Sequence, residues 1–144
     1  MTVHLTHAQA RALGNKLPPE LAPAPHKFHA TPQRREGRFF ASACEADYVA
    51  EVRVRERSGE VADVELQPKV TLVAGITYKP DVVFTDTATG VRKWIEVKGV
   101  VSDRFRLVMK LWRYSGPGLL VVVKRKSKRS GFQTVREIMP ELRA

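Results

Sequence analysis

Two hydrophobic rhythms alternate along this chain, one with a period near 3.6 and one with a period of two. From Ser42 to Arg57 the apolar positions Tyr48, Val49 and Val52 fall three, four and seven residues after Glu45, which predicts a helix carrying that carboxylate on its apolar stripe. Ser42 stands at the N-cap position with Glu45 three residues on, and Ser58-Gly59 supplies the stop. Strand patterns follow over Val61–Val73, broken or set at an edge by Pro68, and over Ile76–Thr85. The run Asp86-Thr-Ala-Thr-Gly90 reads as a hairpin turn leading into a third strand, Val91–Val97. The helical rhythm returns from Ser102 to Ser115, where Phe105, Val108, Met109 and Trp112 share a face, and Gly116-Pro117-Gly118 ends it. Leu119–Val123 is wholly apolar, as a buried strand reached by a parallel crossover should be. Phe132 to Leu142 reads as a terminal helix. The order is α/β: αβββαβ, a mixed sheet flanked by helices.

Ahead of this core, residues 1–16 suggest a short helix, and four prolines among residues 18–25 mark an extended linker. The organisation expected is an N-terminal helix and proline-rich arm over 1–36 and one folded domain over 37–144. The chain has 144 residues, 43% hydrophobic and 28% charged, which is ordinary for a globular domain. No apolar run is long enough to span a bilayer, and the N-terminus lacks the apolar segment of a secretory signal. The lone cysteine, Cys44, excludes an internal disulfide framework and a thiolate zinc site, so a cytoplasmic protein with no membrane attachment is expected.

The net charge of +10 is unevenly spread. Residues 1–38 carry six basic and two acidic groups, 39–101 eight basic and ten acidic, and 102–144 eleven basic and three acidic. Basic flanks attract polyanions. The acidic middle raises the question of what its carboxylates hold.

The residues that answer it are Pro80-Asp81 and Glu96-Val97-Lys98. Side chains two apart on a strand share a face, so Glu96 and Lys98 project together while Ile95 and Val97 turn to the core. Asp81, on the preceding strand of the hairpin, lies across from Glu96. Glu45, on the inner stripe of the first helix, is placed to join them, although its position also suits a capping-box partner of Ser42. Paired carboxylate oxygens are the hard ligands that Mg²⁺ prefers, and an adjacent lysine can orient or deprotonate water.

The pattern Pro80-Asp81…Glu96-Val97-Lys98 resembles the PD-(D/E)xK signature of restriction-endonuclease-like nucleases. The likeness extends through His26-Lys-Phe-His-Ala, Gly37-Arg-Phe-Phe-Ala-Ser42, Leu66-Gln-Pro-Lys69, Ile76-Thr-Tyr-Lys-Pro-Asp81 and Phe105-Arg-Leu to small phage-encoded endonucleases of the Holliday-junction-resolvase-like group. It covers residues 26–113. The resemblance implies an αβββαβ core and DNA cleavage dependent on Mg²⁺ or Mn²⁺, with Glu45, Asp81, Glu96 and Lys98 as catalytic residues and Asp81, Glu96 and Glu45 as metal ligands. It also places Gln67 where related nucleases bring a polar side chain to the site, against a plain structural hydrogen-bonding role.

Arg106, Lys110 and Arg113 form a basic stripe on the second helix, either a solvated face or a set of phosphate contacts. Lys124, Arg125, Lys126, Lys128 and Arg129 read as a basic surface loop that would add to DNA binding. The resemblance to resolvases implies a homodimer, because a branched junction needs paired cuts. The rival reading is a non-catalytic nucleic-acid-binding module on the same fold, and a nicking or restriction-like nuclease is a third.

Overall fold

The computed structural model describes residues 33–35, 38–40, 42–127 and 129–141. Two short antiparallel strands, β1 (Gln33–Arg35) and β2 (Arg38–Phe40), precede helix α1 (Ala43–Arg57). The expected arm over 1–36 lies outside the described residues except for β1, so the expected boundary at 36/37 falls between two paired strands. The main sheet has five strands in the order β3 (Val61–Leu66), β6 (Val82–Asp86), β7 (Arg92–Val97), β8 (Leu119–Ser127) and β9 (Gly131–Ile138). β7 and β8 run parallel and every other pair is antiparallel. The parallel pair is joined through helix α2 (Asp103–Ser115), the connection such a pair requires. The architecture is α/β, with a mixed sheet between two helices.

Both helices start where the side chains dictate. The Ser42 hydroxyl accepts the Glu45 N–H at 3.1 Å and the Ser102 hydroxyl accepts that of Phe105 at 3.2 Å, each satisfying an amide the helix cannot. The sheet separates two cores. Tyr48 and Val52 of α1 pack with Val61, Val82, Phe84, Ile95 and Val121 on one face. Phe105, Met109 and Trp112 of α2 pack with Leu120, Val122 and Ile138 on the other. Alternation along β7 therefore decides the chemistry: Ile95 enters the α1 core, whereas Trp94 and Glu96 face α2.

Four expectations are corrected. The strand expected over Val61–Val73 ends at Leu66, and after buried Pro68 the chain forms β4 (Val70–Thr71), which pairs with β5 (Thr77–Tyr78) in a separate two-stranded sheet around a 3-10 turn at Val73–Gly75. The strand expected over Ile76–Thr85 divides at Pro80, which is fully buried and has no N–H to give a ladder; pairing resumes when the Asp81 N–H donates to the Ile95 carbonyl at 2.9 Å.

The terminal helix expected over Phe132–Leu142 is instead the strand β9. Phe132, Val135, Ile138 and Met139 have helical spacing, but a bulge in the β8–β9 register at Val135 resets the alternation. Phe132 thus packs with the α1 core and Ile138 with the α2 core, although six residues separate them. The basic loop expected from Lys124 is likewise mostly strand, because β8 continues through Ser127 and turns at Gly131, whose φ is +70°.

Gly116 and Gly118 do more than end α2. The Trp112 indole donates to the Gly118 carbonyl at 2.7 Å, and Trp94 and Trp112 meet edge to face at 5.8 Å. A Cβ on Gly118 would lie 2.7 Å from the Trp94 ring, which the neighbouring indole keeps from moving aside. Gly118→Ala is expected to cost roughly 1–3 kcal/mol through overpacking, read as a fall of several degrees in Tm by thermal denaturation. An unchanged Tm would mean that the tryptophan pair is loosely held.

Candidate functional site

The candidate site lies at the end of the sheet where β6 begins and β7 ends. Glu45 is the third residue of α1, Asp81 immediately precedes β6, Glu96 is the next-to-last residue of β7, and Lys98 follows that strand. Among the described residues, Glu45 and Glu96 are the charged residues that are buried, each 5% exposed. Burying a carboxylate is costly unless it is paired and hydrogen-bonded, and each of these has partners.

Glu96 is held on both oxygens. Tyr78 donates its hydroxyl to Oε2 at 2.5 Å, and Lys98 Nζ lies 2.9 Å from Oε1. Lys98 is itself braced over the Phe105 ring, 5.0 Å from its centroid, at the start of α2. Asp81 receives the Val97 N–H on Oδ2 at 2.7 Å. Glu45 receives Gln67 Nε2 on Oε1 at 3.2 Å. Gln67 adopts φ +50°, uncommon for a residue with a side chain, and its N–H donates to the Asp81 carbonyl at 2.9 Å. That one residue ties Glu45 to Asp81.

Electrostatics binds these groups into one cluster. Burial pushes Asp81 well above the usual carboxylate range, and the Glu96 and Glu45 charges push it further; the Val97 N–H and Lys98 only partly oppose them. Burial raises Glu96 too, against Lys98 and the Tyr78 hydroxyl, with Glu45 adding to the rise. The Tyr78 hydroxyl is driven far up by burial and by the same carboxylates, so it remains a donor. Asp81 and Glu96, with Glu45 behind them, are the oxygen donors here suited to a divalent cation. Among the described residues, no group of three or more His, Cys, Asp or Glu side chains stands as a formed cation cage. Protein donors hold these carboxylates: an amide, a phenol, an ammonium and a carboxamide.

The structure therefore brings Glu45, Gln67, Asp81, Glu96 and Lys98 together. Tyr78 is the member that pattern reading missed. It sits three residues before Asp81 in Ile-Thr-Tyr-Lys-Pro-Asp, where no local pattern marks it, and its ring packs against Trp112 at 6.1 Å and Phe105 at 6.4 Å.

The basic residues divide. Arg106, Lys110 and Arg113 are exposed on α2, and Arg106 also pairs with Asp103 at 2.8 Å. Lys124 and Lys126 are exposed on β8 and Arg129 is exposed in the following turn; Lys128 lies outside the described residues. Arg125 is engaged internally. It pairs with Asp47 of α1, which also binds Arg35 at 2.7 Å, and it stacks 5.1 Å over the Phe132 ring. Slight burial pushes Asp47 up, but the two guanidiniums outweigh it and hold the carboxyl low.

Fold and site together define a mixed α/β domain with a carboxylate–lysine cluster at the end of its sheet. The chain belongs to the family described as "Protein of unknown function (DUF1064)", which it matches over residues 25–131. That span contains all of Glu45, Gln67, Tyr78, Asp81, Glu96 and Lys98. No curated protein matches the chain.

The cluster predicts a stability signature. A carboxyl whose folded pKa is raised binds its proton more tightly folded than unfolded, so its contribution worsens as pH rises. Asp81→Asn keeps an acceptor for the Val97 N–H and removes one repelling charge. In EDTA the variant should melt a few degrees above the wild type at neutral pH. That gain should shrink toward about pH 4, the ordinary carboxylate value. Paired thermal melts across pH read this directly, and a variant less stable than the wild type at neutral pH would contradict the repulsion.

Proposed function

We propose that this protein is a divalent-metal-dependent DNA endonuclease built on a restriction-endonuclease-like αβββαβ core, of the phage-encoded, structure-selective kind. The observation that carries the reading is the burial of Glu45 and Glu96 with Asp81 raised between their charges. A fold keeps mutually repelling carboxylates out of water at a cost, and a Mg²⁺ or Mn²⁺ ion is the partner that hard oxygen donors suit.

Asp81 and Glu96 would hold the ion and Glu45 would support it. Among the described residues, Asp81 uses Oδ2 for the Val97 amide, which leaves Oδ1 open to a ligand. A bound ion would supply charge neutralisation of the phosphodiester and a lowered pKa for water. Lys98, on the same side as Glu96, would orient the attacking water through its ammonium. Tyr78 fixes the Glu96 carboxylate by its Oε2, and Gln67 fixes Glu45, so the donor set is positioned before substrate arrives. The exposed cations Arg106, Lys110 and Arg113, with Lys124, Lys126 and Arg129, would hold the phosphate backbone, helped by the +10 charge of the whole chain. Arg125 is better read as a structural residue. A homodimer in the cytoplasm would suit paired cuts in a branched junction. No helix among the described residues is long and apolar enough to cross a membrane.

The test is cleavage of a four-way junction, a flap, a duplex and a single strand in Mg²⁺, Mn²⁺ or EDTA. Metal-dependent cutting is expected, with Asp81→Ala and Lys98→Ala each reducing the rate at least ~10²-fold, the scale of a positioned proton-transfer or electrostatic group. Binding without cutting, unchanged in Asp81→Ala, would instead establish a non-catalytic binding module that retains the Lys98–Glu96 ion pair.

A further inference from the structure

Between α2 and β9 runs a groove of about 490 Å³ that the sequence gives no hint of, because one wall is the strand expected to be a helix. Arg106, Lys110 and Arg113 form the helical wall, and Arg136 of β9 faces them from the other side. The floor is apolar, made by Met109, Val122 and Val135. Among the described residues no carboxylate lines the groove, although Asp103 pairs with Arg106 at 2.8 Å on its helical side. Val101, three residues beyond Lys98, and Arg106, next to the Phe105 ring that Lys98 overlies at 5.0 Å, are both lining residues, so the groove shares the start of α2 with the lysine of the carboxylate cluster.

We infer that this groove binds an unpaired DNA strand and that the substrate of the proposed nuclease carries such a strand next to the scissile bond. The inference rests on the nuclease reading for its placement, but not for the binding itself. Cations on both walls match a polyanion, and the three on α2 span ~10 Å at 1.5 Å per residue. A purely electrostatic contact to duplex needs only such cations on an open face. A concave apolar floor, to which Val135 gives most of the exposed surface, suits a strand whose bases can turn onto it, since a duplex keeps its base faces stacked inside. Val135 is placed there by the β9 bulge, which puts it into the groove at 48% exposure. Arg136 Nη1 lies 4.0 Å from Met109 Sδ, so its guanidinium spans floor and rim.

The experiment is fluorescence anisotropy in EDTA with three labelled probes of about twelve nucleotides: oligo-dT, an abasic strand of the same length, and a blunt duplex. EDTA removes cleavage from the readout, so failure of the nuclease reading and failure of this one are distinguishable. The wild type should bind oligo-dT at least about five-fold tighter than the abasic strand. Arg136→Ala should weaken oligo-dT binding several-fold and lower the slope of log affinity against log salt by ~0.7, the value for one phosphate on a single strand. Val135→Asp, at an exposed bulge position, should weaken oligo-dT binding more than duplex binding. Equal affinity for the abasic strand, equal losses on duplex, or no loss in either variant whose melt matches the wild type would each overturn the inference.

Discussion

Asp81 and Glu96 are like charges drawn out of water at the ends of neighbouring strands, with Glu45 behind them, and much of the surrounding architecture serves to keep them there. The Val97 amide reaches Asp81 because β7 continues one residue past Glu96. Tyr78 reaches Glu96 because buried Pro80 interrupts the strand and frees β5 to pair with β4 over α2. Gln67 reaches Glu45 only from a left-handed backbone at the end of β3. These bonds do not offset burial and the neighbouring carboxylate charges, and Asp81 stays raised. Such a balance lowers stability, a cost that proteins commonly carry at working sites.

The two helices contribute through their beginnings. The first turn of α1 presents Glu45 where the helix dipole favours negative charge, and the first turn of α2 presents Phe105 beneath Lys98. Behind the site, the Tyr78, Phe105, Trp112 and Trp94 rings form a continuous aromatic wedge between α2 and the sheet. The wedge locks the Tyr78 hydroxyl in place, and the close approach of Gly118 to Trp94 closes its far end. Stability and site geometry thus share the same side chains.

What could be read from the sequence follows from which rules are local. Glu96 and Lys98 share a face because strand side chains alternate, and Glu45 lies inward because helical side chains recur near every fourth residue. Asp81 was placed by a hairpin turn whose Asp86 carboxylate accepts the Ala88 amide at 3.0 Å, a local signal too. Tyr78 was not legible, since its role depends on where Pro80 divides a run that looks like one strand. Arg125 looked like one of five surface cations; its partner Asp47 is 78 residues away, and no local pattern joins them. The terminal strand reads as a helix in the sequence because the bulge at Val135 makes an irregular strand mimic helical spacing. Local periodicity thus located the carboxylates and the lysine, while long-range packing supplied the groups that hold them.

Under the proposed function the cluster holds a divalent cation. Titration of Mn²⁺ followed by electron paramagnetic resonance measures this without DNA or turnover. The expected result is saturable loss of the free-ion signal in the wild type, displacement by excess Mg²⁺, and binding weakened at least about ten-fold in Asp81→Asn. Absence of saturable binding in a folded wild-type protein, or equal binding in the variant, would contradict it and leave Lys98 as the cation that Glu96 meets.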